Sequence, residues 1–229
     1  MNKLPPITKN LLIINVLCWM GTLALAKYGI DLHKLLGLHF FLAPSFKIWQ
    51  LVTYQFLHEG FQHIFFNMFA VWMFGRIMEM QWGSKRFLIF YLLCGIGAGL
   101  MQELCQFVQY EIALVNSGLE ITPQVVDDLR SYMNAFLTVG ASGAVYGILL
   151  GYGMTFPDNQ LFIIPFPFPI KAKWLVVGYI ILELGLGIRG SAADNVAHFA
   201  HLGGMLTGFL ILLYWKRKER KDNHINFTW

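Results

Sequence analysis

Apolar residues in this chain gather into long blocks rather than narrow amphipathic stripes. A helix needs about 20 mostly apolar residues to cross the hydrocarbon core of a bilayer. Six blocks approach that length, at residues 11–28, 58–77, 87–108, 135–156, 174–188 and 196–215. The pattern predicts an all-α polytopic membrane protein, a six-helix bundle forming one domain over residues 1–229. The first block also reads as a signal peptide, because Lys3 and Lys9 precede it and Ala24-Leu25-Ala26 ends it. It is long enough to span, so the expectation is a retained helix. Residues 31–57 carry Phe40, Phe41, Phe46 and Trp49, which suits headgroup depth. Residues 109–134 are more polar, and Thr122-Pro123 predicts the N-cap and first residue of a short helix in a water-exposed cap. Residues 157–169 are proline-rich and predict a stiff, non-helical connection.

Composition agrees with the pattern. Of 229 residues 56% are hydrophobic and only 13% charged, where soluble domains carry about a quarter. Mean hydropathy is +0.54. The lipid bilayer is therefore part of the solvent this chain needs. The net charge of +4 comes without a basic stripe interleaved with aromatics, which argues against nucleic acid as a partner. Instead the cations flank apolar blocks. Placing both termini in the cytoplasm puts Lys3, Lys9, Arg76, Lys85, Arg86, Lys171, Lys173, Lys216, Arg217, Lys218, Arg220 and Lys221 there, twelve of the 17 basic residues. Positive residues are retained on that side. Short tails and no targeting sequence lead to the expectation of a bacterial inner membrane. Cys18, Cys94 and Cys105 lie inside apolar blocks at no metal-ligand spacing and read as packing residues.

Polar groups inside membrane spans are costly and so point to function. Three clusters qualify. Gly140-Ala141-Ser142-Gly143 is followed by Tyr146, Gly147 and Gly151. Gly143, Gly147 and Gly151 make a smooth face for close helix approach. Taken alone the run is a packing motif, its serine bonded to its own backbone. Taken functionally, Ser142 is a nucleophile at a loop-to-helix junction, beside unpaired amides able to stabilise an oxyanion. In the second cluster His198 and His201 precede Gly203, Gly204 and Gly208. His201, Gly204 and Gly208 share a face, which complements the glycine face after Ser142. If the faces pack, His201 comes within reach of the Ser142 proton, as a general base requires. In the third cluster His58, His63 and Asn67 open the second block, with His63 and Asn67 one turn apart. Both can donate to a developing negative charge, or glue helices together. His58-Glu59 with His63 has one residue too many for the HExxH zinc motif. Neither a metal nor a cofactor is called for.

Together the clusters resemble the rhomboid family of intramembrane serine proteases. Arg76 and Glu79, followed by Gly83, also look like that family's pattern. The resemblance implies a serine endopeptidase that cuts transmembrane segments of membrane-protein substrates within the lipid bilayer. Ser142 would be the nucleophile and His201 the base, a dyad without an acid. His63, Asn67 and the Ser142 backbone NH would form the oxyanion hole. Tyr146 would stack on His201 in place of an orienting carboxylate, which fits a sequence with no obvious in-membrane Asp or Glu beside either group. Gly140 would allow the tight turn into the nucleophile. The fifth span and the outer loop above the site would form the gate, the Gly185-Leu186-Gly187 end being easy to move. Two departures stand out: Trp49-Gln50 where the family often has Trp-Arg, and the second histidine, His198, expected nearer the outer surface in a structural role. Other readings are a non-catalytic rhomboid-like protein that binds membrane helices, a transporter lined by His63, His198 and His201, and a membrane scaffold. Substrate and oligomeric state stay open.

Overall fold

A computed structural model describes residues 3–116, 118, 120, 122–162, 168–189 and 198–222. The chain opens with α1 (Pro6–Ala26), short α2 (Leu32–Leu36) and α3 (Gln50–Thr53), then α4 (Phe61–Ala70) and α5 (Arg76–Trp82). A π turn, Val71–Gly75, joins α4 to α5. Next come α6 (Ser84–Asn116), α7 (Pro123–Met133), α8 (Ser142–Thr155), α9 (Ala172–Arg189) and α10 (His198–Asp222). Extended pairing among the described residues is limited to a ribbon of two strands, Gln160–Leu161 and Ile170–Lys171, paired antiparallel, and an isolated bridge between Leu38 and Thr138.

Helices α6, α8 and α10 form the centre, because glycines let their backbones nearly touch. A Cβ placed on Gly147 would stand 2.6 Å from Cys94 Sγ of α6 and 3.2 Å from the Gly204 carbonyl oxygen of α10. One on Gly204 would stand 2.0 Å from the Gly143 carbonyl oxygen. The glycine faces after Ser142 and His201 thus meet, with α6 closing the third side. Buried Phe87, Phe90, Tyr91, Ala144 and Ile148 fill the space around this junction. Outward, Ile13, Leu17, Leu23, Phe66, Phe69, Ile181, Leu182 and Leu210 are exposed, an apolar belt suited to lipid rather than water.

Among the described residues three helices, Pro6–Ala26, Ser84–Asn116 and His198–Lys221, are long and apolar enough to cross a membrane. The others fall short for local reasons. The second block is interrupted by the π turn at Gly75, against which the Phe87 ring packs. The fifth is helical over Ala172–Arg189 but carries Lys173, Glu183 and Arg189. The fourth begins at Ser142 rather than at 135. Residues 135–141 do not continue that helix, because other partners take their backbone. Leu38 and Thr138 exchange two 3.0 Å hydrogen bonds, and Gly140 N donates to Tyr54 O at 2.9 Å. At 14 residues, α8 is about 21 Å long, against a hydrocarbon core of about 30 Å.

One end of the bundle is tied by charge. Buried Glu79 accepts from Ile7 N at 2.9 Å, from Thr8 N at 2.7 Å and from Ser84 Oγ at 2.7 Å. The carboxylate thereby caps the start of α1 and joins it to the α5–α6 turn. Arg86 and Glu219 pair at 2.7 Å between α6 and α10. Lys173 and Lys171 flank Asp158 and hold its carboxyl below the usual carboxylate range. The proline-rich connection lies partly outside the described residues, at 163–167.

At the opposite end the long stretch after α2 is fastened by polar side chains. Gln50, of the Trp49-Gln50 departure, is buried, and its carbonyl accepts from Lys47 N at 3.0 Å while its amide donates to Ser45 O at 3.1 Å. Glu103 of α6 accepts from Phe41 N at 2.6 Å. Loop anchoring therefore uses a neutral amide here. The expected cap helix is present as α7, with Thr122 accepting from Val125 N at 3.4 Å and Pro123 at its first position.

Candidate active site

Ser142 is the first residue of α8, and the preceding turn sets its direction. Gly140 has φ +130°, a conformation that side-chain-bearing residues rarely adopt. A Cβ there would also stand 2.7 Å from His63 Nε2 and 3.8 Å from Ser142 Oγ. Gly140 is thus the gap across which His63 and Ser142 face each other. Val145 N is bonded to Ala141 O, so the amides of Ser142, Gly143 and Ala144 are the first-turn donors that precede intrahelical pairing.

His201 approaches from the first turn of α10. Its Nε2 lies 2.8 Å from Ser142 Oγ. Tyr146, one turn along α8 from Ser142, lies flat on the imidazole, ring centroids 4.2 Å apart and planes 9° apart. His201 is buried and Ser142 half-buried. Of the second cluster, Val196 and Ala197 lie outside the described residues.

His63 and Asn67 lie on α4, the latter buried. Asn67 Nδ2 donates to His63 O at 3.1 Å, which orients the amide and leaves its second hydrogen for another acceptor. Buried His58 packs edge-on against His63, centroids 5.0 Å apart. That contact packs the two imidazoles against each other. The structure thus gathers Ser142, His201, Tyr146, Gly140, Gly143 and His63 near the starts of α4, α8 and α10, with Asn67 one turn along α4 from His63.

The expectation that no carboxylate lies beside the pair is overturned by Glu183 of α9. Its Oε2 is 3.1 Å from His201 Nδ1 and 2.6 Å from His198 Nδ1. Its Oε1 accepts from Tyr146 Oη at 2.5 Å. His198 is correspondingly buried against this carboxylate, one turn nearer the start of α10 than His201. In the sequence Glu183 stands alone between Leu182 and Leu184, 15 residues before His198. Its one signal was a bare charge mid-span, which default reasoning treats as functional. The Gly187 end of α9 is also held, since a Cβ there would sit 3.1 Å from the Phe199 ring.

Donor atoms of Glu183, His198 and His201 lie within 4.8 Å of one another. Ligands on a tetrahedral zinc at 2.0–2.1 Å stand about 3.3 Å apart. The 2.6 Å spacing of Glu183 and His198 is that of a hydrogen bond.

Comparison with known proteins gives a family match. The Rhomboid domain model matches residues 45–218. RHOMBOID-like protein 4 of Arabidopsis thaliana is 28% identical over 163 residues, 71% of this chain and 33% of that protein. RHOMBOID-like protein 6, mitochondrial, of the same plant is 29% identical over 163 residues, 71% of this chain and 42% of its own length. Rhomboid protease GluP of Bacillus subtilis is 29% identical over 163 residues, 70% of this chain and 25% of that protein. The chain thus spans between a quarter and about two fifths of the length of these relatives. The matched segment runs from the loop before α3 to the last turns of α10 and contains the Ser142–His201 pair, and the chain belongs to the rhomboid family of integral membrane proteins.

Proposed function

We propose that this chain is an intramembrane serine endopeptidase that cleaves transmembrane segments of membrane proteins. The observation that carries the reading is the 2.8 Å contact between Ser142 Oγ and His201 Nε2 at the N-terminus of a helix. His201 Nε2 takes the Ser142 proton as Oγ bonds to the scissile carbonyl carbon, whose π pair moves onto its oxygen. The first-turn amide of Ser142, with His63 and Asn67, stabilises that oxyanion. His201 then gives the proton to the leaving nitrogen as the carbon–nitrogen bond breaks. Water, deprotonated by the same imidazole, hydrolyses the acyl-enzyme.

Membrane depth follows from helix length. With its far end at one interface, the roughly 21 Å of α8 leaves Ser142 inside a core of about 30 Å. Both termini are placed in the cytoplasm, in six spans over one domain, because the basic ends of α6, α9 and α10 gather there. The membrane is proposed to be a bacterial inner membrane. A substrate helix has its carbonyls hydrogen-bonded, so cleavage favours segments with weak helix formers near the cut.

The test is cleavage of a single-span substrate in proteoliposomes by the parent and by Ser142→Ala. Parent-only cleavage within the apolar segment supports the reading. Helix binding by both chains, with no cleavage by either, would replace it with a non-catalytic binding role.

A further inference from the structure

We propose that Glu183 is the third member of the site, a positioning carboxylate that orients His201 and stabilises its protonated form. The inference rests on the protease reading above and adds to it a residue on α9.

To accept the serine proton, His201 Nε2 must carry the lone pair, so the proton of the neutral imidazole must sit on Nδ1. Tyr146 stacks on the ring face and fixes its plane, but a ring face has no bearing on which nitrogen is protonated. The group facing Nδ1 is Glu183 Oε2, at 3.1 Å. When His201 takes the proton, the new positive charge is shared with an Nδ1–H that has a carboxylate oxygen 3.1 Å away. Angularly this contact falls short of a formed hydrogen bond, as Nδ1 has no well-aligned acceptor. Such contacts are often loose in a free enzyme and tighten in the transition state.

The carboxylate is itself held on two sides. Tyr146 Oη donates to Oε1 and His198 Nδ1 lies 2.6 Å from Oε2. Tyr179, one turn before Glu183 on α9, packs edge-on against Tyr146 with centroids 5.7 Å apart. Among the described residues, the titratable and polar groups facing His201 are therefore Ser142 and Tyr146 from α8, Glu183 from α9, His198 on its own helix and His63 as an electrostatic neighbour from α4. Glu183 is the single acid among them. A buried acid in a span is expensive, and Ala172, Val176 and Glu183 are the buried residues of α9. A purely structural tether would need one acceptor for Tyr146. This carboxylate instead spends its second oxygen between two imidazoles.

The test uses the full chain in detergent, with kcat and KM measured on a fluorogenic transmembrane-segment peptide and active sites counted by fluorophosphonate titration. Glu183→Gln keeps an acceptor for Tyr146 but removes the charge facing His201. Changing the triad aspartate of soluble serine proteases to its amide lowers kcat about 10⁴-fold. With Tyr146 still holding the ring, the expected loss here is about 10²–10³-fold in kcat per titrated site, with KM within about twofold. Glu183→Asp, which keeps the charge but draws it back by one methylene, is expected to recover at least tenfold of that loss. A Glu183→Gln chain with kcat within threefold of the parent would overturn the proposal. If the Gln variant fails to fold, Glu183→Asn, which matches the Asp variant in length but carries no charge, decides. A kcat at least tenfold below that of Glu183→Asp at unchanged KM supports the proposal, and equal kcat in the two overturns it. Ser142→Ala separates the two claims. A parent no faster than Ser142→Ala sinks the protease reading and this inference with it, whereas an active parent matched by Glu183→Gln sinks the inference alone.

Discussion

Closeness of two backbones sets the geometry of the site, and Gly204→Ala tests it. A Cβ on Gly204 would stand 2.0 Å from Gly143 O, 2.7 Å from its carbonyl carbon and 3.2 Å from its Cα. All three are backbone atoms, so no side-chain rotation relieves the contact. Carbon–oxygen contacts settle near about 3.3 Å, so α8 and α10 must part by about 1.3 Å along this line. Gly143 adjoins Ser142 and Gly204 lies one turn from His201. Most of that displacement therefore passes into the Ser142–His201 contact, now 2.8 Å. The pair would stand about 4 Å apart, beyond hydrogen-bond range. A misplacement of about 1 Å costs about 10²-fold in rate, and overpacking costs about 1–3 kcal/mol of stability. The assay is peptide cleavage per mole of folded protein, with thermal unfolding followed in parallel. Gly178→Ala is the control, since its added methyl meets nothing within 4 Å. It should keep the parental rate. Gly204→Ala at the parental rate would refute the claim that this backbone contact holds the pair together.

Three further outcomes follow from other contacts. Gly140→Ala combines the strain of φ +130° with a methyl 2.7 Å from His63 Nε2. It should lower kcat at least about 10²-fold and also lower the unfolding temperature, the strain costing about 1–3 kcal/mol, read by kinetics and differential scanning. Glu79→Ala leaves the first amides of α1 without their acceptor, which should cost about 2–4 kcal/mol, measured by denaturant unfolding in mixed micelles. Gln50→Ala frees the Ser45–Lys47 turn and should cost about 1–2 kcal/mol while raising proteolytic nicking of the loop before α3, seen by limited proteolysis.

How much of this was legible in the sequence depends on the physics each residue expresses. Glycine spacing pointed to the contact between α8 and α10, because absence of a side chain at every fourth residue has one strong structural use. Helix boundaries in the fourth block were not legible. Residues 135–141 are as apolar as a span, and only the partners Leu38 and Tyr54, far away in sequence, pull them out of the helix. The site pair and its stacking tyrosine were legible because serine, histidine and tyrosine stand at fixed spacings within short motifs. Glu183 was not, since it acts from a separate helix and has no motif of its own. Its meaning depends on three partners on α8 and α10 that the fold brings together. Gln50 shows a similar limit, a departure in sequence whose buried amide bonds supply the anchoring.

The central claim is that Ser142 is activated by His201. It is tested most directly by labelling the detergent-purified chain with a fluorophosphonate probe, beside Ser142→Ala and His201→Ala. The account predicts labelling of the parent and its loss in both variants. Equal labelling of all three, or none in a well-folded parent, would contradict it.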